Sequence, residues 1–253
     1  MTNKSILITG ASSGIGAALA TEYAAEGVFL ALTGRNGERL EAVGRNCERK
    51  GAQVVLKSMD ITEREAVASW IVEVDDAHPI DLLVANAGIS SGTAHAQERF
   101  DKVREIFAVN VDGVLNTVLP AIPRMQSRGA GQIAIMSSIA GFRGLPGTSA
   151  YAAGKAAVKS WGEGLRGQLW ADGIRVSVIC PGYVVSSMTD TNQFPMPLIM
   201  PADKAARIIR KGLERNKSRI AFPCPMHFLV WLMQALPISW TDPLFRKLPK
   251  NPD

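Results

Sequence analysis

"SILITGASSGIG", residues 5 to 16, contains the turn on which the fold depends. A short run typical of a buried strand leads into Gly10, Gly14 and Gly16, and a helical pattern begins at about the same place. Glycine lets the backbone turn sharply there and approach a pyrophosphate closely, while the free N–H groups of the helix start face the anion. Glycines also mark ordinary turns, but this position favours a nucleotide-binding turn. The other turn residues expected at the nucleotide are Ser12, Ser13 and Ile15.

Short apolar runs alternate with helical patterns along the rest of the chain. The runs cover 5–9, 28–33, 53–58, 81–86, 132–137, 174–180 and 219–222, and the helical patterns cover 15–26, 37–50, 63–76, 97–127, 151–171 and 202–216. Most runs have few polar alternations, as in parallel strands covered on both faces. We therefore predict an α/β fold with a Rossmann-like, doubly wound, seven-stranded parallel sheet, helices on both faces, and an apolar C-terminal tail.

Composition narrows the function classes. The chain has 253 residues, 47% hydrophobic and 20% charged, and its net charge of +5 is spread over mixed-sign segments, so we predict no nucleic-acid partner. Three scattered cysteines argue against a disulfide framework and for a reducing, cytoplasmic location, and nothing in their spacing predicts a metal site. The start of the chain shows no signal-peptide pattern, and no apolar run reaches 18 residues.

The end of the second predicted strand bears on the choice of cofactor. An Asp or Glu there would bind a free ribose 2′-hydroxyl, but residues 30 to 37 contain no acid and offer Arg35 instead. A guanidinium can bind a 2′-phosphate through two hydrogen bonds. The pattern favours NADP(H) over NAD(H), which stays the alternative; a solvated loop arginine is the simpler explanation of Arg35.

"SAYAAGKAAV", residues 149 to 158, places one phenol and one ammonium on a smooth helix face. Tyr151 and Lys155 are four residues apart, so they lie on the same side of a helix. Taken alone, such a pair is most simply a surface tyrosine beside a surface lysine. A tyrosine beside an ammonium can also exchange protons, because the positive charge favours the phenolate.

The ordered motifs resemble those of the classical short-chain dehydrogenase/reductase family. They are "TGASSGIG" at 9–16, "NAG" at 86–88, Asn110, "SS" at 137–138, "YAAGK" at 151–155 and "PG" at 181–182. Each motif is weak alone, and their joint order and spacing over about three-quarters of the chain carry the resemblance. The resemblance implies an NADP(H)-dependent enzyme that interconverts a carbonyl and an alcohol by hydride transfer.

The resemblance also implies roles for individual residues. Tyr151 would be the general acid/base, Lys155 would bind the nicotinamide ribose and lower the tyrosine pKa, Ser138 would hold the substrate oxygen, and Asn110 would support a proton-relaying water. The implied cofactor contacts are the glycine-rich turn, Asp60, Ile61, Asn86, Ala87, Gly88, Pro181, Gly182, Val184 and Ser186. The family usually has Thr where Ser186 stands, but the hydroxyl is kept.

Simpler roles exist for several of these residues. Ser138 could end a strand, and Asn110 could hydrogen-bond within a bent helix. The segment "DITERE" resembles a capping box, with Thr62 and Glu65 three residues apart. We expect Thr62 to cap the helix and Asp60 to remain free for the cofactor.

The loop after the sixth strand indicates the substrate class. Residues 185 to 201 include Phe194, Met196, Leu198 and Met200 and no Lys or Arg, which predicts a hydrophobic or bulky small-molecule substrate. Further candidate pocket residues are Phe142, Leu145 and Tyr183. The alternative function is a non-catalytic nucleotide-binding regulator on the same fold.

The remaining predictions concern assembly and the tail. By resemblance, the helices at 97–127 and 151–171 would pair in a homodimer or tetramer. Some of the apolar side chains of Val158, Trp161, Leu165 and Leu169 would then contact the partner subunit and not the core of their own chain. We expect one Rossmann-type catalytic domain over 1–222, including a substrate loop at 183–201, and an apolar and basic extension over 223–253. Within it, 226–236 predicts a helix too short to cross a bilayer, which either packs on the protein or a partner subunit or attaches peripherally to the inner membrane surface.

Overall fold

The computed structural model describes residues 5–90, 100–190 and 195–245, and in them seven parallel strands form one sheet. The order across the sheet is β3-β2-β1-β4-β5-β6-β7. The strands are β1 (Ser5–Thr9), β2 (Phe29–Gly34), β3 (Gln53–Ser58), β4 (Leu82–Ala85), β5 (Gly131–Met136), β6 (Ile174–Pro181) and β7 (Arg219–Phe222). The predicted doubly wound fold is confirmed, with every predicted strand present to within one residue at each end.

Helices cover both faces of this sheet. They are α1 (Gly14–Tyr23), α2 (Gly37–Glu48), α3 (Arg64–Ala77), α4 (Phe100–Phe107), α5 (Gly113–Val118), α6 (Ala121–Arg128), α7 (Ser149–Gln168), α8 (Ala202–Glu214), α9 (Cys224–Ala235) and α10 (Ile238–Phe245). Side chains of α1, α2 and α8 form a core on one face, and those of α3, α5, α6 and α7 form a core on the other. The central strands are therefore buried from both sides, as their apolar runs predict.

The helix predicted over 97–127 is interrupted. In its described part, α4 passes into a π-helical turn at Ala108–Asp112, then α5 and α6 follow. Pro120 stands between α5 and α6, where it cannot donate the backbone hydrogen bond that would continue α5. Helical residues Asp101–Arg128 are long and apolar enough to span a membrane by length and composition, but 44% of their apolar window is buried inside the protein. Val109, Val114 and Met125 from this stretch belong to the core.

The predicted cap of α3 is wrong. The helix begins at Arg64 with Glu63 at the N-cap position, so Thr62 does not cap it. Instead the backbone N–H and hydroxyl of Thr62 both donate to Oδ1 of Asp60, at 2.9 and 2.8 Å. A local turn closed by an Asp side chain competes with the capping box and prevails here.

The candidate residues for a subunit interface lie in or against the core of the single chain. Val158, Leu165 and Leu169 are buried in the core, and Trp161 packs partly against it. Trp170, just after α7, is largely exposed. Most of the apolar stripe of α7 is thus used within one chain, and the homo-oligomer stays a prediction.

The C-terminal tail forms a predicted helix and a further one. Helix α9 follows Pro223, has Pro225 in its first turn and ends before Pro237, close to the predicted bounds. Helix α10 was not predicted, and it contains Pro243. The tail contacts the rest of the protein through Met226 and Val230, which pack against a small core that includes Ile139, Phe142, Val178 and Cys180. The division into a domain at 1–222 and an extension stays a prediction.

A buried carboxylate joins α3 to α6. Asp75 accepts hydrogen bonds from the Ile80 N–H at 2.9 Å, from Arg124 Nε at 2.6 Å and from Arg128 Nη1 at 2.7 Å. Burial raises the pKa of this carboxyl, but the hydrogen bonds outweigh burial and the pKa is lowered overall. Its neighbour Asp76 also pairs with Arg124 but is largely exposed.

We expect Asp75→Asn to lower the free energy of unfolding at neutral pH by about 2–3 kcal/mol, because it removes the charge that two arginines face. The exposed Asp76→Asn is the matched control and should cost less than about 1 kcal/mol. Because the native pKa of Asp75 is lowered, its charge stabilises the fold above the unfolded-state pKa of about 4. That stabilisation is lost as the pH falls through the native pKa. The difference between wild type and Asp75→Asn in urea unfolding should therefore shrink below about pH 4. Equal effects of the two substitutions would contradict this role.

Candidate active site

The glycine-rich turn fits tightly against the end of β4. Gly10 has a φ of +66°, and a Cβ there would lie 2.7 Å from the Ala87 Cα. A Cβ on Gly16 would lie 2.3 Å from the Gly10 carbonyl oxygen. No side chain fits at either position, so the backbone N–H groups at the start of α1 stay open to a ligand.

Asn86 and Thr9 hold this arrangement together. The Asn86 side-chain amide donates to the carbonyl oxygens of Thr9 and Gly10, at 2.9 and 3.1 Å. In return, the backbone N–H groups of Asn86 and Ala87 donate to the Thr9 hydroxyl, at 3.1 and 3.2 Å. The Asn86 amide therefore fixes the turn. Thr9 is a site-building residue that sequence reasoning missed, although its place as the last residue of the first strand signals it.

The loop after β6 lies over the same turn. Pro181 ends the strand, and the Gly182 N–H donates to the Phe222 carbonyl oxygen at 2.7 Å. A Cβ on Gly14 would lie 2.9 Å from the Ser186 Cβ, and the Ser13 and Ser187 hydroxyls are 3.3 Å apart. The predicted cofactor loop and glycine-rich turn thus meet.

Thr189 shapes this loop, which is a second role that the sequence did not reveal. Its hydroxyl accepts the Ser186 N–H at 2.9 Å and donates to the Val184 carbonyl oxygen at 3.1 Å. Val184 is buried and bridges to Met200. Phe194 lies outside the described residues.

Arg35 lies at the opposite side of the turn, directly after β2. It is exposed, and its carbonyl oxygen accepts from the Ser58 hydroxyl at 3.3 Å. A Cβ on the preceding Gly34 would lie 2.9 Å from the Ser12 Oγ, so Ser12 and Arg35 border one region. Asp60 stands after β3 and has Oδ1 engaged by Thr62.

Ile61, the residue after Asp60, faces away from the turn. Its side chain is buried against Gly113, where a Cβ would lie 2.4 Å from the Ile61 Cδ1. Its carbonyl oxygen accepts from the Asn116 amide at 3.0 Å. Ile61 therefore links the loop after β3 to α5.

Asn110 sits in the π-helical turn and is fully buried. Its side-chain oxygen accepts the Ile89 N–H and its amide donates to the Ile89 carbonyl oxygen, both at 2.8 Å. One side chain thus satisfies two backbone groups of the segment after β4. π-Helical turns are common at functional sites, and this one directs a polar side chain toward the edge of the sheet.

Lys155 is buried on α7 with its ammonium directed at the sheet. Nζ donates to the Met136 carbonyl oxygen at 2.9 Å, while the Lys155 carbonyl oxygen accepts from the Ser137 hydroxyl at 2.7 Å. A Cβ on Gly88 would lie 3.0 Å from Nζ and 2.9 Å from the Asn110 Oδ1, so Gly88 keeps this region open. Burial lowers the pKa of Lys155 to about 8.

Tyr151 and Ser138 lie beside this ammonium. The Lys155 Nζ is 5.8 Å from the centroid of the Tyr151 ring. The Ser138 hydroxyl accepts the Ala140 N–H at 3.1 Å and donates to the Pro181 carbonyl oxygen at 3.4 Å. Burial raises the pKa of the Tyr151 phenol, and a hydrogen bond with Ser138 opposes that shift without overcoming it. The lowering of this pKa that the family resemblance attributes to Lys155 is not seen here, because burial of the phenol dominates.

A cavity of about 390 Å³ at the opposite edge of the sheet is unrelated to this group. Its lining includes Ser5, Phe29, Gln53, His78 and Asp81, none of them a candidate residue. Parallel α/β sheets bind ligands at the carboxyl ends of their strands, where the candidate side chains gather.

Comparison with known proteins agrees with this geometry. A model of the short chain dehydrogenase family matches residues 4–195. An uncharacterized oxidoreductase from Myxococcus xanthus (strain DK1622) is 36% identical over 249 residues, which cover 98% of each chain. The chain belongs to the short-chain dehydrogenase family.

Two solved structures of this family are similar to the chain. The short-chain dehydrogenase from Sphingobium yanoikuyae in complex with NADPH has a TM-score of 0.80 and 25% identity, with 98% of each chain covered. A short-chain dehydrogenase from Mycobacterium paratuberculosis bound to NAD has a TM-score of 0.76 and 25% identity, covering 86% of this chain and 94% of that one. The protein is thus an oxidoreductase of a family that binds a nicotinamide dinucleotide, NAD or NADP.

The burial of Lys155 makes stability depend on pH. Its pKa of about 8 lies below the ordinary value of 10.5, so between these values the unfolded chain holds a proton that the folded protein has released. The free energy of unfolding should therefore rise with pH across this window, by on the order of 2 kcal/mol. Lys155→Met should lack this rise, because methionine has nothing to protonate. Urea unfolding at several pH values between neutral and about pH 10 gives the free energy of unfolding of the wild type and of Lys155→Met. If the two free energies changed with pH in the same way, the buried position of the ammonium would be contradicted.

Proposed function

We propose that the protein is an NADP(H)-dependent oxidoreductase that interconverts a carbonyl and an alcohol on a hydrophobic or bulky small molecule, with Tyr151 as general acid/base. One observation carries the proposal. The Lys155 Nζ lies 5.8 Å from the centroid of the Tyr151 ring, and Ser138 is close enough to oppose the rise in the pKa of the phenol, at the sheet edge where the glycine-rich turn opens. A proton donor, a second hydroxyl and a buried cation at one place suit the reduction of a carbonyl.

The residues present fit a dinucleotide. The turn offers backbone N–H groups without side chains, and Gly88 leaves room beside Lys155. When bound, a reduced nicotinamide supplies hydride to a carbonyl carbon. We assign the pyrophosphate to the glycine-rich turn, the adenosine side to Asp60, Ile61, Asn86, Ala87 and Gly88, and the nicotinamide side to Tyr151, Lys155, Pro181, Gly182, Val184 and Ser186.

Tyr151 supplies the proton in this proposal. Its raised pKa keeps the phenol neutral near pH 7, so it can donate to the carbonyl oxygen as negative charge develops there. The Ser138 hydroxyl donates to the same oxygen. Lys155, mostly charged at neutral pH with its pKa of about 8, then stabilises the phenolate that remains.

Asn110 acts mainly through the backbone in this proposal. Both functional atoms of its amide are engaged by Ile89, so it holds the segment after β4 and the π-helical turn in place. Family resemblance assigns a proton-relaying water to Asn110. In this proposal that water would be held by backbone groups of the segments that Asn110 keeps in place.

Arg35 supports the preference for NADP(H). Arg35 is exposed, the preceding Gly34 lies against Ser12, and residues 30 to 37 contain no acid to bind a free 2′-hydroxyl. NAD(H) is the alternative, because similar structures hold either cofactor.

The loop after β6 supports the substrate class. Val185, Met188, Leu198 and Ile199 are exposed near the candidate site, and an apolar substrate would cover such side chains. Two of the expected pocket residues are buried instead: Met200, and Phe142, whose ring centroid lies 5.2 Å from that of His227. A regulatory protein that binds the nucleotide without turnover is the second candidate, but it would have no use for the Ser138–Tyr151 pair beside Lys155.

Tyr151→Phe should lower kcat by roughly 10² to 10⁴, the usual contribution of a positioned acid or base. The affinity for NADPH, followed by nucleotide fluorescence, should stay within about threefold, because the ring and Lys155 remain. Tyr23→Phe is the matched control, since that phenol is buried on the other side of the sheet and has no hydrogen-bond partner among the described residues. Wild-type turnover by Tyr151→Phe, with any carbonyl substrate that the wild type reduces, would disprove the assignment.

Arg35→Ala should raise the dissociation constant for NADPH by roughly ten- to a hundredfold and leave that for NADH nearly unchanged, because only NADPH carries the 2′-phosphate. Arg45→Ala, an exposed arginine two turns further along α2, is the control and should change neither constant. Equal dissociation constants for the two cofactors in the wild type would rule out the preference. That outcome would leave the role of Tyr151 as the proton donor untouched.

A further inference from the structure

The tail exposes seven large apolar side chains within thirteen residues, a set that we call the tail face. Its members are exposed side chains of α9, of α10 and of the link between them: Phe228, Leu229, Trp231, Leu232, Leu236, Ile238 and Trp240. No residue of α9 is buried. Large contiguous apolar patches on a protein surface usually mark a contact with a partner or a lipid surface.

The tail face is held in a fixed orientation by the opposite side of the tail. Met226 and Val230 pack against Ile139 and Phe142. In α10, Thr241 is buried, and Arg143 donates to the Asp242 carboxylate at 2.8 Å. These anchors account for how the tail is attached, and they leave the tail face without a role in the core.

We propose that the tail face docks the protein on an anionic lipid membrane surface. Helix α9 has 12 residues and is about 18 Å long, too short for a hydrocarbon core of about 30 Å, so it would lie along the membrane. Tryptophan and phenylalanine are the side chains favoured at the boundary between lipid tails and headgroups. Trp231 is 48% exposed and Trp240 is 72% exposed, so both can insert without unfolding the tail.

Charge favours lipid as the occupant. From Pro223 to residue 253 the acids are Asp242, which is paired with Arg143, and Asp253. Arg246, Lys247 and Lys250 follow α10 directly in the sequence. These three bases outnumber the two acids of the tail and complement anionic headgroups, each base contributing about 1 kcal/mol near the membrane.

The same charges disfavour a second copy as the occupant. In a two-fold symmetric pair, each tail face would meet its own equivalent. Such a pair would also bring together two chains that each carry a net charge of +5, and like charges repel. An anionic membrane has no such penalty, so the tail face is better suited to lipid than to itself.

Co-sedimentation of the full chain with vesicles tests the proposal. Vesicles of equal parts phosphatidylcholine and phosphatidylglycerol are compared with phosphatidylcholine alone, at low and high salt. The wild type should bind the anionic vesicles and should be released by salt, which screens the basic residues. Brominated phosphatidylcholine in the same vesicles should quench tryptophan emission, because quenching requires insertion at the depth of the lipid chains.

Variants locate the contact. W231S/W240S should reduce the vesicle partition coefficient at least about tenfold, since two aromatic side chains no longer leave water. W170S is the matched control and should bind as the wild type, because Trp170 is 66% exposed but lies outside the tail face. R246E/K247E/K250E leaves the tail face intact and should also lose binding at least about tenfold. If circular dichroism shows that W231S/W240S does not fold, the R246E/K247E/K250E variant still tests the proposal.

Three outcomes would overturn the proposal. The first is a wild type that stays in the supernatant with anionic vesicles at low salt. The second is undiminished binding by folded W231S/W240S, or by R246E/K247E/K250E if the tryptophan variant does not fold. The third is light scattering that shows self-association abolished by W231S/W240S while vesicles bind nothing, which would assign the tail face to a second copy.

Discussion

The hydrogen bonds between Asn86 and the end of β1 are the constraint on which the site depends. They hold the glycine-rich turn so close to the segment after β4 that neither Gly10 nor Gly16 could carry a side chain. Strand order explains why these residues meet: β1 and β4 are neighbours in the middle of the sheet, where the chain changes the direction of its crossovers. Ligands of doubly wound sheets bind at this point.

The candidate catalytic group balances two opposing demands. Burial disfavours charge on Lys155 and on Tyr151, lowering the pKa of the ammonium and raising that of the phenol. The Met136 carbonyl oxygen and the Ser138 hydroxyl offset part of this cost through hydrogen bonds. In the proposed reaction, the phenol would keep its proton near neutral pH, and the nearby Lys155 ammonium would stabilise the phenolate left after the proton is donated.

Much of the fold could be predicted from the sequence because its strands are buried on both faces and appear as uninterrupted apolar runs. The order of the motifs likewise predicts that Ser138, Tyr151 and Lys155 lie close together, since a parallel sheet aligns the ends of its strands. Features decided by competition between local and tertiary contacts could not be predicted. Thr62 bonds to Asp60 instead of capping α3, the π-helical turn goes with the bonds of Asn110 to Ile89, and α10 forms despite Pro243.

The clamp formed by Thr9 and Asn86 has a consequence for folding. It joins residues 77 positions apart in the sequence, and the Ser138–Pro181 hydrogen bond joins residues 43 positions apart. Contacts of such long sequence separation form slowly, because the loops between them must close first. A chain emerging from the ribosome therefore has no complete site until β6 and the loop after it have been synthesised. Nucleotide affinity would then report the completion of folding, and N-terminal fragments with a well-formed β1 and glycine-rich turn would still lack it.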